Sequence, residues 1–193
     1  SNILIGEDGA IAANTHRKSD DAGNGGNIYI TTEELSMKGN RAWIQSTTLG
    51  KGNAGDIRVD SKNISITDGA QISVSTMDGS EGQGGNIIIN ATGAVAIGGE
   101  SSDGTWSGLF SGTHGAGDGG NITLSSTSLS LEEGGIIYAS THGAGDAGDI
   151  LLEGTNMSFR NGAQVGASAH EGSTGKGGNI SANATGTVTI GGK

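Results

Sequence analysis

The residues best equipped for chemistry are four histidines, His16, His114, His142 and His170. Aligning the chain through Thr15, Thr48, Thr76, Thr113, Thr141 and Ala169 puts all four at one equivalent position of a repeat, the last three in consecutive units. Imidazoles stacked about 5 Å apart in a column can share a transition metal or form a pH-sensitive patch, because protonating all of them places like charges together. No carboxylate recurs at a fixed offset to complete a metal shell. The more economical reading is a copied Thr-His-Gly-Ala-Gly-Asp segment that decorates a surface corner.

Two glycine-rich loops, Gly115-Ala116-Gly117-Asp118-Gly119-Gly120-Asn121-Ile122 and Gly143-Ala144-Gly145-Asp146-Ala147-Gly148-Asp149-Ile150, have the composition of calcium-binding Gly/Asp repeats. Those repeats need tandem nine-residue units so that successive turns share each ion, whereas here one such loop occurs per unit. The expectation is no resident cofactor, with calcium or a transition metal as the alternatives. Catalysis has little to stand on. Four Arg and six Lys are scattered, and the acidic pairs Asp20-Asp21 and Glu132-Glu133 read as solvated loop charges, so we expect no enzyme. The best candidate contact surface is aromatic. Phe110 and Tyr138 take the same outward position in adjacent units, and Trp106 lies in the one irregular insertion, between Gly99 and Gly108. Outward aromatics can grip sugar or protein, and they also stack on one another simply to stabilise a sheet.

These residues are positioned by a repeat. Gly followed by Asn or Asp and then Ile recurs six times, with the polar residue at Asn27, Asp56, Asn86, Asn121, Asp149 and Asn179, at intervals of 29, 30, 35, 28 and 30 residues. Within each unit apolar residues come as pairs separated by one polar residue, such as Ile57/Val59, Ile64/Ile66 and Ile72/Val74. Period two means strand, and three short strands per unit is the consistent count. The step from the first strand's leading apolar residue to the second's runs 7, 7, 8, 7, 7, 8, which groups the units in threes. The run Asn90–Gly99 returns as Asn183–Gly192, 93 residues on, so a three-unit block has been duplicated within a single domain spanning 1–193.

One such unit cannot bury its few apolar side chains alone and must stack on its neighbours. The expected fold is therefore all-β, a right-handed parallel β-helix of about six turns of roughly 30 residues, with Ile/Val/Leu columns along its axis. The hand follows from the general rule for parallel crossovers. The glycine before each Asn or Asp is expected to supply φ > 0 at a corner, and the Asn/Asp side chains to form a ladder there. Composition alone would suggest disorder, with apolar residues at 32%, aromatics at 3% and 39 glycines; the regular pairs in all six units argue against it. Proline is absent, which excludes collagen, and so is cysteine, which excludes disulfides and thiolate sites. The net charge of −10 without a basic run argues against nucleic acid and anionic membrane, and no apolar run approaches a membrane span.

Ile3 and Ile5 match Ile64 and Ile66, and the chain closes on Val188 and Ile190, so both ends fall at second strands without a capping helix. Uncapped strand edges invite like edges. Expected partners are neighbouring β-helix segments or copies of the chain end to end, or a cell-surface protein or glycan. Six Asn-X-Ser/Thr sequons occur, at Asn63, Asn90, Asn121, Asn156, Asn179 and Asn183; two belong to the ladder itself.

The repeated Gly-Asn-Ile starts, the segment Asn63-Ile64-Ser65-Ile66-Thr67-Asp68-Gly69-Ala70-Gln71-Ile72 and the segment Ala139-Ser140-Thr141-His142-Gly143 resemble the shafts of filamentous haemagglutinin-like exoproteins of two-partner secretion. The likeness covers nearly the whole chain, without a counterpart of that family's amino-terminal secretion domain. It implies an extracellular adhesive rod on a bacterial surface.

Overall fold

The computed structural model describes residues 1–15, 23–77 and 80–192. The strands are, in chain order, β1 (Asn2–Ile5), β2 (Ala10–Ala12), β3 (Ile28–Lys38), β4 (Trp43–Thr48), β5 (Ile57–Thr67), β6 (Gln71–Thr76), β7 (Ile87–Ala91) and β8 (Ala94–Gly98). They continue as β9 (Gly108–Thr113), β10 (Ile122–Glu132), β11 (Ile136–Thr141), β12 (Ile150–Arg160), β13 (Gln164–Ala169), β14 (Ile180–Ala184) and β15 (Val188–Gly191). All pair in parallel with the strand one turn away, forming a nine-stranded and a six-stranded sheet. The chain is a parallel β-solenoid of about six turns, and no helix among the described residues is long and apolar enough to cross a membrane.

The 7-or-8 spacing in the sequence acquires a structural meaning. Where the step is seven, the first two strands run on as one eleven-residue strand, in β3, β5, β10 and β12. Each bends midway, so that Ile57, Val59 and Ser61 face inward in one half and Ile64 and Ile66 in the other. Where the step is eight, the extra residue breaks the strand into β7 and β8, or β14 and β15. β8 and β15 still return to the seat above β5 and β12.

The core is a set of columns. Ile28, Ile57, Ile87, Ile122 and Ile150 stack in register, all buried, as do Leu35, Ile64, Val95, Leu129 and Met157. Apolar side chains stack closely on a ~4.8 Å repeat, which is how a chain this poor in apolar residues fills its interior. The third strand adds polar columns: Thr48, Thr76, Thr113 and Thr141 are all buried, and the Thr76 and Thr113 hydroxyls bond each other at 2.7 Å.

The expected role of the corner glycines needs correction. None of the glycines preceding the Asn/Asp column has φ > 0. From Gly55 onward they are required by close approach to the turn below: a Cβ on Gly55 would collide with the carbonyl of Gly26, and one on Gly120 with that of Gly85. Left-handed backbone occurs instead at the opposite corner, between second and third strands, at Asp68-Gly69, Glu133-Gly134 and Asn161-Gly162, where two consecutive positive φ values turn the chain sharply.

Candidate functional site

The Asn/Asp column is a hydrogen-bonded ladder. The side-chain oxygen of Asn27 accepts from the Asp56 N–H (2.8 Å), Asp56 from Asn86 (2.7 Å), Asn86 from Asn121 (2.9 Å), Asn121 from Asp149 (2.7 Å) and Asp149 from Asn179 (2.6 Å). A second ladder runs three residues earlier, through Asn24 to Asn53 and Asn53 to Gln83, and through Asp118 to Asp146 and Asp146 to Lys176. Each side chain gives a corner N–H one turn away the acceptor that the sheets cannot supply there. These residues tie each turn of the solenoid to the next.

Of the histidine column, His16 lies outside the described residues. His114, His142 and His170 form a face-to-face stack, with ring centroids 4.5 and 4.1 Å apart and planes within 3° and 11° of parallel. Ring-nitrogen lone pairs lie in the ring plane, so in this stack they run side by side and do not converge on a point. No group of three His, Cys, Asp or Glu among the described residues is arranged to hold a metal ion. Titration with zinc or nickel is accordingly expected to show no saturable one-to-one site by calorimetry; stoichiometric micromolar binding would mean that the rings leave the stack.

The acidic pair Asp20-Asp21 also lies outside the described residues. Glu132 accepts from Ser130 at 2.8 Å and Glu133 from Asn161 at 2.8 Å.

The insertion between β8 and β9 is an ordered loop. Glu100 and Trp106 form an antiparallel bridge across it. Asp103 accepts from the Ser101 hydroxyl and the Thr105 N–H within the loop, and from Asn40 Nδ2 at 2.6 Å across the corner. Gln71 Nε2 donates to the Trp106 carbonyl at 3.0 Å, and the Ser107 hydroxyl donates to the Gly99 carbonyl while accepting the Gly69 N–H. The bonds to Asp103 from Ser101 foremost, and then from Thr105 and Asn40, hold its carboxyl below its ordinary value of 3.8. Asp60 is held low in the same sense, first by its two-pronged pairing with Arg58 (2.8 and 2.9 Å) and then by Asn90 (2.7 Å). A depressed folded-state value contributes stability that is complete above the ordinary carboxylate value and is lost as the pH falls through the lowered one. The bonds that Asp103 accepts should therefore persist down through pH 4 and be lost only in stronger acid. In Asp103→Ala the Thr105 amide should exchange several-fold faster already at neutral pH, with the exchange of Ile87 unchanged.

Trp106 is 40% exposed, and its six-membered ring occupies the place that a side chain on Gly134 would take. Phe110 and Tyr138 are paired neighbours on the outer face of the six-stranded sheet, and the Tyr138 ring covers Gly166 in the same manner. Trp43 stands on that same outer face, in the column of Gln71 and Gly108, and was missed in the sequence. It opens its strand, and alternation with buried Ile44 was the signal that could have placed it. Four of the six aromatic residues thus gather on or beside one face. A groove of about 430 Å³ runs beside Trp106 along the left-handed corner, lined by Glu100, Glu133, Asn161 and Gln164 over glycine.

No protein-family model, curated protein or solved structure matches the chain.

Proposed function

We propose that this chain is a length of an extracellular structural shaft, of the kind borne by bacterial surface exoproteins, that holds adhesive side chains along a rod. The observation that carries this reading is that the side-chain chemistry is spent between turns: both Asn/Asp ladders, the buried threonines and the apolar columns all connect one turn to the next. Such a chain sets length and stiffness and leaves its outward side chains to make contacts. The resemblance to haemagglutinin-like shafts supports a secreted location and an adhesive purpose.

End-to-end assembly into filaments is the second reading, favoured by core-column side chains left exposed on the last turn, Ile180, Val188 and Ile190. Register weighs against seamless stacking. β1 and β15 both occupy the second-strand seat. A second copy seated with its β1 on β15 would leave one strand place empty above β13 and another above β14. Negative-stain electron microscopy of the purified chain should show monodisperse short rods, roughly 30 Å in the stacked direction for six turns. Long filaments would overturn the shaft reading in favour of assembly.

A further inference from the structure

The groove beside Trp106 has the composition of a built site. Its aromatic wall is fixed before any ligand arrives. The insertion that carries Trp106 is pinned at Asn40, Gln71 and Gly69, and the indole rests on the bare backbone of Gly134. The floor stays open at Gly162, whose φ of 83° would strain any other residue and whose missing side chain leaves the space above it clear. The rim carries planar polar groups already oriented by one bond each. Asn161 donates to Glu133 at 2.8 Å, and Gln164 accepts from the Tyr138 hydroxyl at 3.3 Å. That last bond joins the groove to a second aromatic ring, also lying on glycine.

An aromatic face carries negative charge density and attracts weakly positive C–H groups, while fixed amides and carboxylates suit hydroxyls, which both donate and accept. A pyranose ring presents both kinds of group at once. The lining contains Glu100 and Glu133 but no Lys, Arg or His, so an anionic sugar, phosphate or sulfate would meet repulsion. The volume of about 430 Å³ is within the range of small-molecule sites. The groove follows the rod axis past Gly99, Gly134 and Gly162, on successive turns ~4.8 Å apart, a spacing comparable to one pyranose unit in an extended chain.

We propose that this groove is a binding subsite for a neutral pyranose oligosaccharide, with Trp106 as the stacking platform and Asn161, Gln164 and Glu133 as hydroxyl partners. This rests on the adhesive part of the function proposed above and gives it a place and a ligand class.

The test is calorimetric titration of the intact chain with cellotetraose, xylotetraose, mannotetraose and chitotetraose, alongside tetragalacturonate as anionic probe and choline as cationic probe. At least one neutral tetrasaccharide should bind at about millimolar or better, and Trp106→Ala should weaken it by about ten-fold or more. Trp106→Phe should retain most of the binding. Asn161→Gly, which keeps the left-handed backbone while removing the amide, should weaken it independently, so the test survives if Trp106→Ala misfolds. The inference is overturned if no neutral sugar binds at about 10 mM, if binding is indifferent to both Trp106→Ala and Asn161→Gly, or if tetragalacturonate or choline binds more tightly than every neutral sugar. Rods seen by microscopy in the same preparation would leave the shaft reading standing whatever the titration gives.

Discussion

Gly120→Val is expected to unfold the solenoid, or to leave it insoluble, at room temperature. A Cβ at 120 meets the carbonyl of Gly85 one turn below, which is itself packed over the buried Ser111 hydroxyl at 3.0 Å. The same hydroxyl lies 2.7 Å from the Gly120 carbonyl, so both backbones are tied to one side chain. Relief must come from separating two turns, which would also stretch the ladder bond from Asn121 N–H to Asn86. Overpacking a side-chain core costs about 1–3 kcal/mol, and a collision of backbone with backbone should exceed that, a large share of the ~5–15 kcal/mol that holds a domain together. Gly6→Ala is the control. Nothing lies within 4 Å of a Cβ there, so its denaturation midpoint by circular dichroism should be that of the parent within about 0.5 kcal/mol. Equal midpoints for the two variants would show that the turns are not in contact at Gly120.

The second large effect is expected from Ile87→Ala, inside the apolar column that runs from Ile28 to Ile180. Ile87 is fully buried between Ile57 below and Ile122 above. Removing its outer carbons leaves a cavity that the strands on either side cannot close, since both are fixed in register by the ladders at Asp56, Asn86 and Asn121. Truncations of this kind cost about 2–5 kcal/mol. The same change at the end of the column, Ile180→Ala, removes a side chain that is 48% exposed and packed from one side only, and should cost less than about 1 kcal/mol. Urea unfolding of the pair measures the difference, and a larger loss from Ile180 would contradict the stacking order.

Much of this architecture was legible because a solenoid writes its contacts into the sequence at a fixed interval. Ile57 and Ile87 are neighbours in space for the same reason that they are equivalents in the repeat. Alternation of apolar and polar residues located the strands, and the Gly-Asn/Asp-Ile starts located the corner. The reason for the corner glycines was not legible. A sequence shows that position 55 excludes a side chain but not whether backbone angle or a neighbouring carbonyl excludes it, and the carbonyl belongs to Gly26, 29 residues away. The fusion of first and second strands was hidden likewise: a seven-residue step reverses the inward parity, and this reads equally as a loop or as a bend within one strand. The ladder from Asn24 and Asn53 escaped because its members vary, with Gln83 and Lys176 contributing only backbone N–H. The aromatic site was half legible. Trp106 stood out within an irregular insertion, but that it lies on Gly134 depends on where a loop from one turn falls over the next, which no local pattern encodes.

Every part of this account depends on turns stacked in one register, and nuclear Overhauser contacts test that most directly. In the labelled chain, Ile57, Ile87, Ile122 and Ile150 should show sequential contacts along the column, each between residues 28 to 35 apart in sequence, with matching contacts from Asn86 to Asn121 at the corner. Contacts confined to near neighbours in sequence, or columns shifted by one or more residues, would contradict the stacked solenoid and the shaft and groove built on it.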